Sequence, residues 1–117
     1  MENIRIIKDK INNEQLRIFL NNPFTDMIKI VVDINREIIA LGGEMHADAE
    51  EVLLNDGSKQ EDLWGANIFP DREKDKRIRY DSLINIRPSQ NNTSLEIQNE
   101  GLKSKVIEII NKLINFS

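Results

Sequence analysis

The sequence predicts an α+β fold: a single domain with a mainly antiparallel sheet of four to five strands and about three helices, packed mostly on one face. Three observations carry this. Apolar runs rich in β-branched residues alternate in character at period two. Neighbouring runs are joined by links too short for a crossover helix, which makes them hairpins. Three other segments switch to a 3.6-residue period.

The elements follow in order. "IRIIK", Ile4 to Lys8, has strand character. In "NNEQLRIFLNN", Asn12 is a good N-cap and Gln15 completes a capping-box pattern. Leu16, Phe19 and Leu20 share one helical face, and Asn21, Asn22 and Pro23 are expected to stop the helix. "MIKIVVDI" sends Ile28, Ile30, Val32 and Ile34 one way and Lys29, Val31 and Asp33 the other. "NRE" is a short polar break before "EIIALGG", a second strand, so the pair reads as a hairpin. The two glycines suggest a strand irregularity.

In "HADAEEVLLNDG" the period changes again. Ala49, Val52 and Leu53 fall together, acidic residues suit the positive end of a helix, and Gly57 is a natural left-handed stop. From Asp62 to Phe69 both faces are apolar, with Trp64, Ala66 and Ile68 on one of them, so this strand is expected inside the sheet and Trp64 in the core with its N–H near a polar neighbour. "PDREKDKR" is a charged loop, and "IRYDSLINIRP" is expected to return as a strand ended by Pro88. The last helix is expected from about Leu102 to Leu113, with Asn99 as a cap and a wide apolar stripe through Val106, Ile109 and Ile110. With helices on one side, the other face of the sheet is expected to be half polar, presenting Asp33, Asp81, Asn85 and Arg87.

Composition narrows the function classes. Hydrophobic residues at 39% against 31% charged describe a globular chain of one ordinary domain. No apolar run approaches the roughly 20 residues of a membrane span, and the N-terminus lacks the apolar core of a signal peptide. The expectation is a cytoplasmic protein that does not engage a membrane. Cysteine is absent, which removes disulfides and thiolate metal sites. A net charge of −4 argues against nucleic acid as a partner.

Several stretches carry chemistry-bearing residues. If the second strand ran on through "EMHAD", Glu44, His46 and Asp48 would share a face as metal ligands or as a base beside its orienting carboxylate. Alternatively Asp48 opens a helix and His46 is a hydrogen-bonded edge residue. Gln60, Glu61 and Asp62 sit where a helix meets a strand; paired carboxylates there can do acid-base work if they converge. Adjacent strand residues face opposite ways, which works against that. Arg87 offers a planar fork for a carboxylate or phosphate, with Gln90, Asn91 and Asn92 as amides beside it; alternatively Arg87 pairs with Asp62 or Asp81. Arg72, Lys74, Lys76, Arg77 and Arg79 form a basic run, interrupted by Asp71, Glu73 and Asp75 as in a solvated loop. No phosphate-binding glycine loop, nucleophile elbow or zinc-protease motif is present, and no cofactor is named by any pattern.

Taken in order, "VVDI", "GGEMHAD", "GSKQEDLWGANIFP" and "INIRPSQNN" resemble a family of small bacterial and archaeal proteins known only as a domain of unknown function. The resemblance runs from about Met27 to the last helix, and "QEDLWG" and "INIRPSQ" are its most specific parts. It implies a compact single domain and transfers no catalytic residue. It also marks His46, Gln60, Glu61, Asp62, Asn85, Arg87 and Gln90 as positions to test.

Two functional expectations follow. The first is a non-enzymatic binding or assembly module, a homodimer or a receiver of a small anionic ligand or protein partner, using the half-polar sheet face and the loop from Arg87 to Asn92; Gln60, Asn85, Gln90 and Asn91 are its binding residues. The second is a small hydrolase or metal-dependent enzyme, with His46 as base or ligand, Glu61 or Asp62 as its carboxylate and Arg87 as anion clamp.

Overall fold

The computed structural model describes residues 3–20 and 26–117. The expected helix stop at Asn21, Asn22 and Pro23 lies outside the described residues. Five strands form one antiparallel sheet: β1 (Ile4–Ile7), β2 (Ile28–Asp33), β3 (Ile38–Gly42), β4 (Leu63–Ile68) and β5 (Ile78–Arg79). Their spatial order is β1-β3-β2-β4-β5. The helices are α1 (Asn13–Arg17), α2 (His46–Asn55) and α3 (Glu100–Leu113), and short 3-10 turns punctuate the loops.

Strand periodicity sets the register. Ile28, Ile30 and Val32 lie opposite Ile68, Ala66 and Trp64. These six side chains join Ile39, Leu41, Leu16 of α1, and Val106, Ile109 and Ile110 of α3 in one core. Trp64 is only 3% exposed, so it packs beneath the helices as its alternation predicts. Its Nε1 has no hydrogen-bond partner among the described residues. Instead of a polar neighbour at the N–H, the ring has the Arg87 guanidinium over its face, 3.9 Å from the centroid.

Two of the three helices thus share a face. The reverse face is not open, which corrects the half-polar surface expected there. Val31, Ile38, Ala40 and Leu63 pack on it against Ala49 and Leu53 of α2. The alternation that sent Asp33 and Val31 the same way was sound; α2 simply covers that side. Asp33 and Asn85 are fully buried, and Asp81 and Arg87 are half-buried.

Asp33 is satisfied locally. One carboxylate oxygen accepts from the amides of Asn35 and Arg36, and the other from Ser58 Oγ at 2.6 Å. These bonds shape the β2–β3 turn, in which Glu37 is left-handed at φ 56°. Glu37 then ties the turn to α3 through Lys105 and Lys112.

The helix ends follow the sequence. Asn12 and Gln15 form a reciprocal capping box, and Asn99 accepts from the Leu102 amide to start α3 two residues earlier than expected. α2 closes with Gly57 N–H to Leu54 O and Ser58 N–H to Leu53 O, the paired bonds of a Schellman stop.

Two expectations change. β3 ends at Gly42, because Gly42 and Gly43 are both left-handed (φ 103° and 88°) and turn the chain into α2. Glu44, His46 and Asp48 therefore do not line one strand face; His46 is the first residue of a helix. Second, "IRYDSLINIRP" is a strand only at Ile78–Arg79. Beyond that the chain leaves β4 and pairs with residues 95–97 instead, through Ile97 N–H to Tyr80 O and Ser82 N–H to Leu95 O. Its place beside β4 is taken by a side chain: Asn85 Oδ1 accepts from Gly65 N–H, and its Nδ2 donates to Gly65 O. One primary amide thus imitates the donor and acceptor that a neighbouring strand would supply.

Candidate functional site

A cleft of about 420 Å³ opens on the α2 side of the sheet, between the start of β2, the first turn of α2, the end of β4 and the segment 81–84. Gly65 makes its floor possible. A Cβ there would lie 2.6 Å from Ser82 Cβ and 3.2 Å from His46 Cδ2. Only the bare glycine backbone lets the imidazole and the serine close over the strand.

His46 Nε2 lies 2.7 Å from Ala66 O. A carbonyl can only accept, so Nε2 carries the proton and Nδ1 keeps a lone pair in the neutral ring. Burial lowers the His46 pKa to about 4; the Ala66 carbonyl, Asp81 and Asn67 oppose that shift, while Lys29 adds to it. The ring is therefore neutral at pH 7. Its Cδ2–Nε2 edge lies on the sheet, so the edge bearing Nδ1 is turned away from it.

Asn67 is 6% exposed and shares the floor. Its Nδ2 donates to Asp81 O at 3.0 Å, which fixes the orientation of the amide. Its Oδ1 is inaccessible to solvent and has no partner of hydrogen-bond geometry. An unsatisfied buried acceptor costs about 1–3 kcal/mol, so its retention calls for an explanation. Lys29 and Asp81 border the same floor; burial pulls the lysine pKa down and Asp81 counters it. Met45, the N-cap of α2, gives no side-chain hydrogen bond to the first-turn amides.

The rim is apolar. Met45 is 56% exposed, Leu83 73% and Leu95 45%, and all three line the cleft. Three exposed large hydrophobes thus border one concave, polar-floored cleft.

The other expected site residues gather elsewhere, around the beginning of β4. Arg87 donates through Nη1 to Gln60 O at 2.6 Å and through Nη2 to Leu63 O. Gln90 Nε2 donates to Glu61 O at 2.9 Å. Asn85 is fully buried in its pairing with Gly65 and also reaches Leu95 O. Asn91 holds a left-handed turn at φ 62°. Asn92 braces the loop by donating to the carbonyls of Asn85, Ser94 and Glu96. Asp62 is half-buried, and burial, Asp33 and Glu61 raise its pKa. Burial lowers the Arg87 pKa against the pull of Glu50.

Of His46, Glu61, Asp62 and Arg87, only His46 lines the cleft. Arg87 pairs with neither Asp62 nor Asp81 but with backbone carbonyls and the Trp64 ring. Among the described residues no three His, Asp or Glu side chains come close enough to hold a metal ion.

The family described as "Protein of unknown function (DUF5674)" matches residues 5–113. The chain belongs to that family. No solved structure matches the chain at a significant level. In the structure "GGEMHAD" forms the β3–α2 junction with His46, "QEDLWG" leads into β4, and "INIRPSQ" carries Asn85, Arg87 and Gln90 onto that strand and the turn before it. No helix among the described residues is long and apolar enough to cross a membrane.

Asn67, Lys29, Ser82 and the rim trio were not singled out as site residues in the sequence. One signal was there. Asn67 is a polar residue inside "LWGANI", an otherwise apolar internal strand, and such a residue must find partners or a purpose.

Proposed function

We propose that this DUF5674 member is a non-enzymatic binding module that receives a partner segment in the cleft at the start of α2. The observation that carries this reading is the exposed apolar rim of Met45, Leu83 and Leu95 around a concave, polar-floored cleft. The cleft offers acceptors in the unprotonated His46 Nδ1 and the Asp81 carboxylate, and a donor in Lys29. The occupant therefore brings both donors and acceptors beside an apolar group, as a peptide segment with an aliphatic side chain does. Asp81 already has Arg79 at 3.5 Å and Lys29 nearby, so a neutral donor suits it better than a further cation. A second copy of the chain is one source of such a segment.

The test is a methyl NMR titration with N-acetyl-leucine methylamide as probe. Saturable shifts at Met45, Leu83 and Leu95 are expected in the low-millimolar range, on the order of −4 kcal/mol, and their loss in Leu83→Asp. Methyl signals unmoved by the probe up to about 10 mM and by raising the protein concentration would refute the reading.

The enzymatic alternative needs His46 to work with Glu61, Asp62 and Arg87. The bonds of Arg87 to Gln60 O and Leu63 O favour a bracing role for that residue instead.

A further inference from the structure

A second cavity, of about 480 Å³, lies between β5 with its preceding 3-10 turn and the C-terminal half of α3 with Phe116 beyond it. Arg77 enters it with its guanidinium 4.6 Å from the centroid of the Phe116 ring. Stacking fixes the plane of the fork. Arg17, Arg36 and Arg79 each meet a carboxylate, and Arg87 meets two carbonyls. The Arg77 guanidinium instead lies on an aromatic face in the wall of the cavity, and its Nε has no hydrogen-bond partner among the described residues.

The neighbours fit one kind of occupant. Lys74, Tyr80 and Asn111 add donors around the fork, while Phe116 and Ile107 form an apolar wall. Asp75 is the one acid in the lining, so two cations face one carboxylate. We infer that this cavity is a binding site for a small organic anion, a carboxylate or phosphate group on an apolar body, gripped by the Arg77 fork while the body lies against Phe116. The site is independent of the cleft at α2.

The experiment titrates the full chain with phenyl phosphate and with phenylacetate, and separately with inorganic phosphate and acetate, following the Tyr80 and Phe116 ring signals. Saturable binding of at least one aromatic anion is expected, at least about tenfold tighter than its inorganic or acetate counterpart. The arm that saturates identifies the head group. Arg77→Gln should weaken it by about tenfold or more, and Arg77→Lys by less, because a point charge replaces a fork. Asn111→Glu, an exposed position that spares the fold, should weaken it severalfold by repulsion. The proposal is overturned if neither aromatic anion saturates below about 10 mM, or if Arg77→Gln and Asn111→Glu both bind like the wild type.

Discussion

His46 is held neutral by its surroundings, and this has a pH consequence. The unfolded chain takes up a proton on this ring below pH 6.5, the folded chain only below about 4. The unfolded state therefore binds more protons between those values, and folding stability falls as pH drops through that window. The loss is on the order of 3 kcal/mol when complete. Denaturation midpoints of wild type and His46→Gln, compared across the window, should show a steeper acid loss for the wild type; parallel curves would contradict it. Asn85 carries a larger structural share. Asn85→Leu strands both Gly65 N–H and Gly65 O, and a loss of about 2–5 kcal/mol is expected in urea unfolding. At this scale the sequence marked polar residues without showing what their side chains meet. Arg87 stood out as a fork for anions, yet its donors go to carbonyls. Arg77 looked like one charge in a solvated run, and stacking on Phe116, 39 positions away, is invisible to local pattern.

Among elements, those built from local rules were legible. The capping box at Asn12, the Asn99 cap and the Gly57 stop are each decided within a few residues, and the hairpin β2–β3 follows from its short link. The expected strand from Ile78 to Arg87 failed for a non-local reason. Its alternation suits a ladder, but an amide side chain occupies the edge of β4 and residues 95–97 capture the backbone. Gly65 joins the elements, since α2 and the 82–85 turn both approach β4 across it. Gly65→Ala should cost about 1–3 kcal/mol and should shift the amide signals of His46 and Ser82 before those of α3. Equal stability with unmoved His46 and Ser82 signals would show that the approach is looser than described.

For the whole molecule, the α+β class and the antiparallel sheet were readable because period-two and period-3.6 stretches are cleanly separated in this chain. Which face each helix covers was not. α2 and α3 both carry one apolar stripe, and a stripe says that something must be covered without saying which side of the sheet supplies it. Covering the second face with α2 made a cleft where an open polar surface was expected. Leu83→Asp tests the separation of fold from site: at 73% exposure the change should alter stability by no more than about 0.5 kcal/mol, read by thermal unfolding. A larger loss would place Leu83 in the packing of the fold.

If the cleft at α2 receives a partner segment, its exposed rim of Met45, Leu83 and Leu95 is the surface that the partner covers. Leu83→Asp places a charge on that rim at a residue 73% exposed, outside the packing of the fold. The account predicts nearly unchanged stability together with a loss of about tenfold or more in affinity for N-acetyl-leucine methylamide. A variant that is clearly destabilised yet binds the probe as tightly as the wild type would contradict it.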